Sequence, residues 1–285
     1  MKKAGNYLLT AVPLIAGLAI QIVCSVAASM LYGFYYGIQA AASGNQEAVS
    51  QSAILEGYSS IILYVLIISQ IAAFIVFGIW YKKQNKGREV KHLTQVVHVK
   101  TIGNIVFLGI GLQLFTSLFM QVIYRIAPNA LNEYADLVET VGIGQANVVS
   151  LLATVVLAPI VEEIMFRGVT MRLAKKAGAG FLVANLIQAV AFGIYHFNLV
   201  QGIYATVLGL VLGYVAYRYD SIYPSILMHL VYNFAATILN ALAEFLPDTI
   251  VTMVVMVIVM AGTTVIGIWF MKTDKKVVKD KEVIL

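Results

Sequence analysis

Residues 154–168 read Thr-Val-Val-Leu-Ala-Pro-Ile-Val-Glu-Glu-Ile-Met-Phe-Arg-Gly, and the reading of this stretch decides the fold. It is apolar enough to cross a membrane, yet it carries Glu162, Glu163 and Arg167. An acidic residue near a bilayer centre costs roughly 2.5–3.5 kcal/mol on insertion scales, so ionisable residues in such segments mark functional sites by default. On a helix Glu163 and Arg167 stand at i and i+4 and can pair. Glu162 is rotated by about 100° and points elsewhere. The spacing therefore predicts Glu163–Arg167 as a structural pair, with Glu162 left for chemistry. The competing reading is a charge cluster at the membrane edge, solvated by headgroups.

Composition extends this outward. The chain has 285 residues, 60% hydrophobic and 12% charged, against about 25% charged in soluble domains. Its apolar residues fall in runs of about twenty, as membrane helices require. The expected fold is all-α, a polytopic membrane protein of about eight transmembrane helices. The net charge of +5 does not indicate nucleic-acid binding, because the basic residues flank the spans, where they set topology. Cys24, the single cysteine, allows no internal disulfide and fits no metal-ligand spacing; it reads as a packing residue.

The spans are expected at roughly 7–36, 58–81, 102–126, 146–172, 181–196, 203–219, 222–243 and 249–271. Met1-Lys2-Lys3 resembles a signal-peptide start, but the apolar run after it is too long, so it reads as a retained first span. Gln39–Glu56 reads as a polar loop, as does the stretch holding Glu133, Asp136 and Glu139. His92 and His98 read as solvated histidines in the basic loop of Lys82, Lys83, Lys86, Arg88, Lys91 and Lys100. Glu244, Pro247 and Asp248 bound the seventh span. Pro159 interrupts the fourth, where a kink is tolerated if neighbours or water satisfy the freed carbonyl. Loops alternate between basic ones and ones with no basic residue, Arg125 being the one dissenting charge, so both termini are expected in the cytoplasm. The chain reads as one integral membrane domain, 1–285, with 146–243 as its functional core.

Three further residues gather around the carboxylates. His196 ends the fifth span, with Phe192 one turn before it; His229 and Asn233 share a face of the seventh. A carboxylate withdrawn from bulk water is a competent base for a water molecule near neutral pH. A nearby imidazole can share that proton or pass it to a leaving amine. A second imidazole and an amide N–H can hold the oxyanion of a tetrahedral intermediate. No serine or cysteine stands out as a nucleophile, so water is the expected attacker. A metal is the competing chemistry: Glu162, His196 and His229 would make a two-His, one-Glu zinc site, although His-Glu-x-x-His is absent.

Glu162-Glu163-x-x-x-Arg167, Phe192-x-x-x-His196 and His229-x-x-x-Asn233, in this order on separate apolar spans, resemble the CAAX-protease and bacteriocin-processing (CPBP, or Abi) family of intramembrane endopeptidases. The resemblance covers about a quarter of the chain. It implies eight helices around an intramembrane catalytic cavity and hydrolysis of a peptide bond. It implies that Glu162 and His196 activate water, that His229 and Asn233 form the oxyanion site, and that Glu163 and Arg167 support Glu162. It leaves open whether zinc takes part, since the family has been described both as metalloproteases and as glutamate proteases. The implied partners are the lipid bilayer and a membrane-associated peptide or protein, of CAAX type or a bacteriocin or pheromone precursor. The implied location is the plasma membrane if the chain is bacterial. Two other readings compete: a non-catalytic bacteriocin-immunity protein, and a transporter or proton relay, for which no inverted repeat is visible. One tension is that His196 ends its span far from the depth of Glu162. The span must then be tilted or short, with residues 197–202 forming a turn buried in the membrane.

Overall fold

The computed structural model describes residues 6–43, 51–142, 147–243, 245 and 249–275. Lys2, Lys3, Ala146, Glu244, Pro247, Asp248 and the lysines beyond Lys275 lie outside the described residues.

The described chain is all-helical. α1 spans Val12–Ser43, α2 Gln51–Gln84, α3 Leu93–Val96, α4 Val99–Ile126 and α5 Pro128–Val141. α6 is the continuous run Val148–Lys176, α7 is Phe181–Tyr195, α8 Leu199–Tyr219, α9 Tyr223–Ala243 and α10 Ile250–Thr273. Among the described residues seven helices are long and apolar enough to cross a membrane. α7, expected as a full span, has 15 residues, about 22 Å at 1.5 Å per residue, short of a hydrocarbon core of about 30 Å.

Two expected loops are helical where described, residues 44–50 of the first lying outside the described residues. α1 runs on through Ala40, Ala41 and Ala42, strong helix formers. The acidic stretch after α4 is α5, with Pro128 in its first turn and Gly142 as a left-handed cap at φ 71°. Leu131, Tyr134, Val138 and Val141 recur at helical spacing on α5, which makes it amphipathic.

Small residues set the helix contacts. α10 lies along α4 at Gly103, Gly111 and Gly267, where an added Cβ would meet Phe270, Thr264 and Leu108. α7 packs on α8 in the same way, Gly209 against Ala189 and Gly213 against Asn185. A methyl on Gly193 would stand 2.5 Å from the Gly202 carbonyl oxygen and on top of Thr206 Oγ1. Gly193→Ala is therefore expected to push α7 off α8 and to cost about 1–3 kcal/mol, read as a lower unfolding midpoint in detergent. A midpoint unchanged from the native chain would show that α7 is free to shift.

At the end of the bundle nearest the described C-terminus, the buried Asp274 side chain gathers three elements. It accepts from Thr101 Oγ1 at 2.8 Å and from the Tyr219 hydroxyl at 3.0 Å, and pairs with His98 Nε2 at 2.9 Å. His98 is thus not the solvated loop histidine expected. Its partner lies 176 residues away, which no local pattern reveals. His92 is exposed, as expected.

Candidate active site

α6 departs from regular helix on both sides of the diglutamate. Leu152–Leu157 and Ile164–Thr170 are π-helical, flanking Ala158–Glu163. Such stretches are rare and concentrate at functional sites. In the first, the Ala158 N–H reaches the Ala153 carbonyl. The next donor in that register is residue 159, a proline, so the Thr154 carbonyl loses its helical partner. Asn233 Nδ2 on α9 donates to that oxygen at 2.7 Å. The kink proline and a motif residue are thereby joined. Asn233→Ala is expected to cost about 1–3 kcal/mol through the orphaned carbonyl. Adding Pro159→Ala restores an N–H and should recover most of that loss without recovering any activity that needs Asn233. Equal destabilisation of single and double variants would sever the link.

Glu163 and Arg167 form the expected pair, and both side chains are fully buried. Arg167 Nη1 donates to Glu163 Oε1 at 2.6 Å, and Nη2 donates to the Gly209 carbonyl on α8 at 3.1 Å. The guanidinium also lies over the Phe192 ring, 4.8 Å from its centroid. Glu163 Oε1 sits 3.0 Å from His229 Nδ1. A carboxylate held by an arginine has no proton to give, so Nδ1 carries the hydrogen and donates. That leaves His229 Nε2 facing Glu162 Oε2 at 3.7 Å, within reach of charge but too long for a direct hydrogen bond.

These residues sort onto two sides of a boundary. Glu162, Phe192, His196, His229 and Asn233 all line one cavity of about 1150 Å³, whereas Glu163 and Arg167 lie behind its wall. The Phe192 ring stands between the two imidazoles, with centroids 5.0 Å from His196 and 5.7 Å from His229. The shortness of α7 accounts for His196. The helix ends at Tyr195, His196 caps it, and Phe197 turns the chain with φ 49° before Asn198 caps α8 through the Gln201 N–H. The turn occupies three residues, not six, and it is only partly enclosed by protein: His196 and Asn198 are half-buried, while Phe197 is 76% exposed.

Among the described residues no three His, Cys, Asp or Glu side chains converge as a metal set would. Glu162, His196 and His229 as placed do not fit a zinc ion.

Several lining residues carry no signal in sequence. Gln21, Gln70 and Gln113 reach the cavity from α1, α2 and α4. Tyr134 on α5 and Tyr204 on α8 share a 2.9 Å hydroxyl bond at its wall. Lone glutamines in apolar spans were the available clue, because a polar group at that depth needs a reason.

The chain is thus a polytopic, all-helical membrane protein whose ionisable residues meet at an internal cavity. Residues 144–235 match the family model described as type II CAAX prenyl endopeptidase Rce1-like. That segment is just under a third of the chain and holds every motif residue from Glu162 to Asn233. The match supports the resemblance to CPBP (Abi) intramembrane proteases read from the motifs. No curated protein and no solved structure gives a significant match.

Proposed function

We propose that this protein is an intramembrane endopeptidase that hydrolyses a peptide bond of a membrane-associated peptide or protein. In this reading 1–285 is one membrane domain with 146–243 as its catalytic core. The observation that carries it is the convergence of Glu162, His196, His229 and Asn233 on one cavity wall from α6, α9 and the end of α7. Glu162 takes a proton from water as the oxygen attacks the scissile carbonyl. His229 holds the oxyanion through Nε2–H, a role that needs both its nitrogens protonated, since Nδ1–H is committed to Glu163. The second Asn233 N–H, not used by Thr154, is available to the same oxygen. On collapse, Glu162 returns its proton through His196 to the leaving amine, so the proton count closes.

The test compares peptide termini in membrane fractions from cells carrying the native chain and cells carrying Glu162→Gln. Termini that vanish with the variant are the products. An unchanged set, with the variant rescuing any deletion phenotype, would assign the chain to binding instead.

A further inference from the structure

Among the described residues four tyrosines line the cavity, Tyr134, Tyr195, Tyr204 and Tyr232, and a phenol has one hydrogen to give. Thr116 Oγ1 donates to the Leu112 carbonyl at 3.2 Å, so its 2.8 Å bond with Tyr232 is made with the hydrogen of Tyr232. Tyr134 and Tyr204 spend one hydrogen on the bond between them. Tyr195 is the reverse case. Its partner, Gln21 Nε2 on α1 at 2.8 Å, has only hydrogens to offer. The Tyr195 oxygen therefore accepts, and among the described residues no group takes its own hydrogen.

The Tyr195 ring is held from several sides. Phe166 of α6 meets it edge-on, with centroids 5.6 Å apart and planes at 68°. Gly17, one turn before Gln21 on α1, gives it room: a methyl there would stand 3.2 Å from Tyr195 Cε2 and 2.8 Å from Met165 Sδ. The His196 ring follows, its centroid 6.0 Å away. Tyr195 is 9% exposed and lines the cavity.

Glu162 faces the same cavity and acts on Tyr195 through charge, with no hydrogen bond between the two. A group placed between a phenol O–H and a carboxylate must accept from the first and donate to the second. Water does both, whereas a backbone carbonyl only accepts. A phenol keeps its proton near neutral pH, so Tyr195 can hold the water's oxygen while Glu162 takes the water's proton. Neither Tyr195 nor Gln21 belongs to the motifs, and Gln21 lies outside the matched residues 144–235.

We propose that Tyr195, held by Gln21 from α1, is a further residue of the active site, its hydroxyl hydrogen positioning the attacking water between itself and Glu162. This rests on the proteolytic reading.

The test uses purified protein in detergent and a peptide spanning a cleavage site lost in Glu162→Gln cells. Tyr195→Phe keeps the ring against Phe166 and Gly17 and removes only the hydroxyl. It is expected to lower kcat roughly 10–100-fold, the range that misplacing a reactant costs, with KM and the unfolding midpoint unchanged. In a Glu162→Gln background the same substitution should alter the residual rate less than about twofold, because a positioned water without its base gains nothing. Gln21→Met, which leaves the hydroxyl free to swing, should lower kcat by less than Tyr195→Phe does. A native rate in Tyr195→Phe, an equal loss with and without Glu162, or a midpoint that falls with the rate overturns this assignment and leaves the proteolytic reading standing. Identical termini in native and Glu162→Gln cells would overturn both.

Discussion

Glu162→Gln lowers kcat by roughly 10²–10⁴-fold, the range that positioned acid–base groups supply, while KM moves less than threefold. Glutamine keeps the volume of the side chain and the shape of the cavity wall. What it removes is the one carboxylate that faces the cavity from α6, 3.7 Å from His229 Nε2. Folding should not suffer, because Arg167 is committed to Glu163 and the remaining partner of Glu162, His229 Nε2 at 3.7 Å, stands too far for a direct hydrogen bond. Turnover of a cleaved peptide and an unfolding midpoint, measured on the same preparation, separate chemistry from stability. Residual activity within tenfold of the native chain would mean that another group activates the water. A collapsed midpoint would make Glu162 a structural residue.

Arg167→Met should cost about 3–5 kcal/mol of stability, because it strands a buried carboxylate. Methionine retains most of the stem over Phe192, so the loss reports the missing charge and not a cavity. Adding Glu163→Gln removes the stranded charge, and the double variant is expected to recover most of the lost midpoint. Activity should stay low in that double variant. His229 Nδ1 then faces an amide in place of the carboxylate 3.0 Å away, and the proton that orients the ring is no longer fixed. A double variant no more stable than Arg167→Met would show that the guanidinium matters through Gly209 and not through Glu163. A double variant with native turnover would remove Glu163 from the chemistry.

The parts of the site legible in sequence were those governed by helical periodicity. Glu163 and Arg167 one turn apart, and His229 and Asn233 one turn apart, needed only the assumption of a helix. The division of the two glutamates, one inward to the arginine and one to the cavity, follows from the same 100° step. The Asn233–Thr154 bond was not legible, since it depends on a π stretch whose register meets Pro159 and on an amide that arrives from a helix 79 residues downstream. α5 was missed although its signals were present: proline at the start, glycine at the end and apolar residues at helical spacing. Its three acids drew attention to polarity and away from period. The count of eight full spans is not confirmed, because the fifth has 15 residues where a crossing needs about 20.

The intrahelical placement of the Glu163–Arg167 pair also bears on how the chain is made. Synthesis delivers α6 before α8 and α9, so neither the Gly209 carbonyl nor His229 exists when this segment first meets the bilayer. The arginine and one glutamate can cancel within a single turn of the same helix, which leaves Glu162 as the only uncompensated charge in residues 148–171 at insertion. The Thr154 carbonyl waits longer, because its amide partner is 79 residues downstream. The part of α6 before Arg172 therefore enters as a nearly neutral segment with the Thr154 carbonyl unsatisfied, and the arrival of α9 closes that gap as it brings His229 to the site.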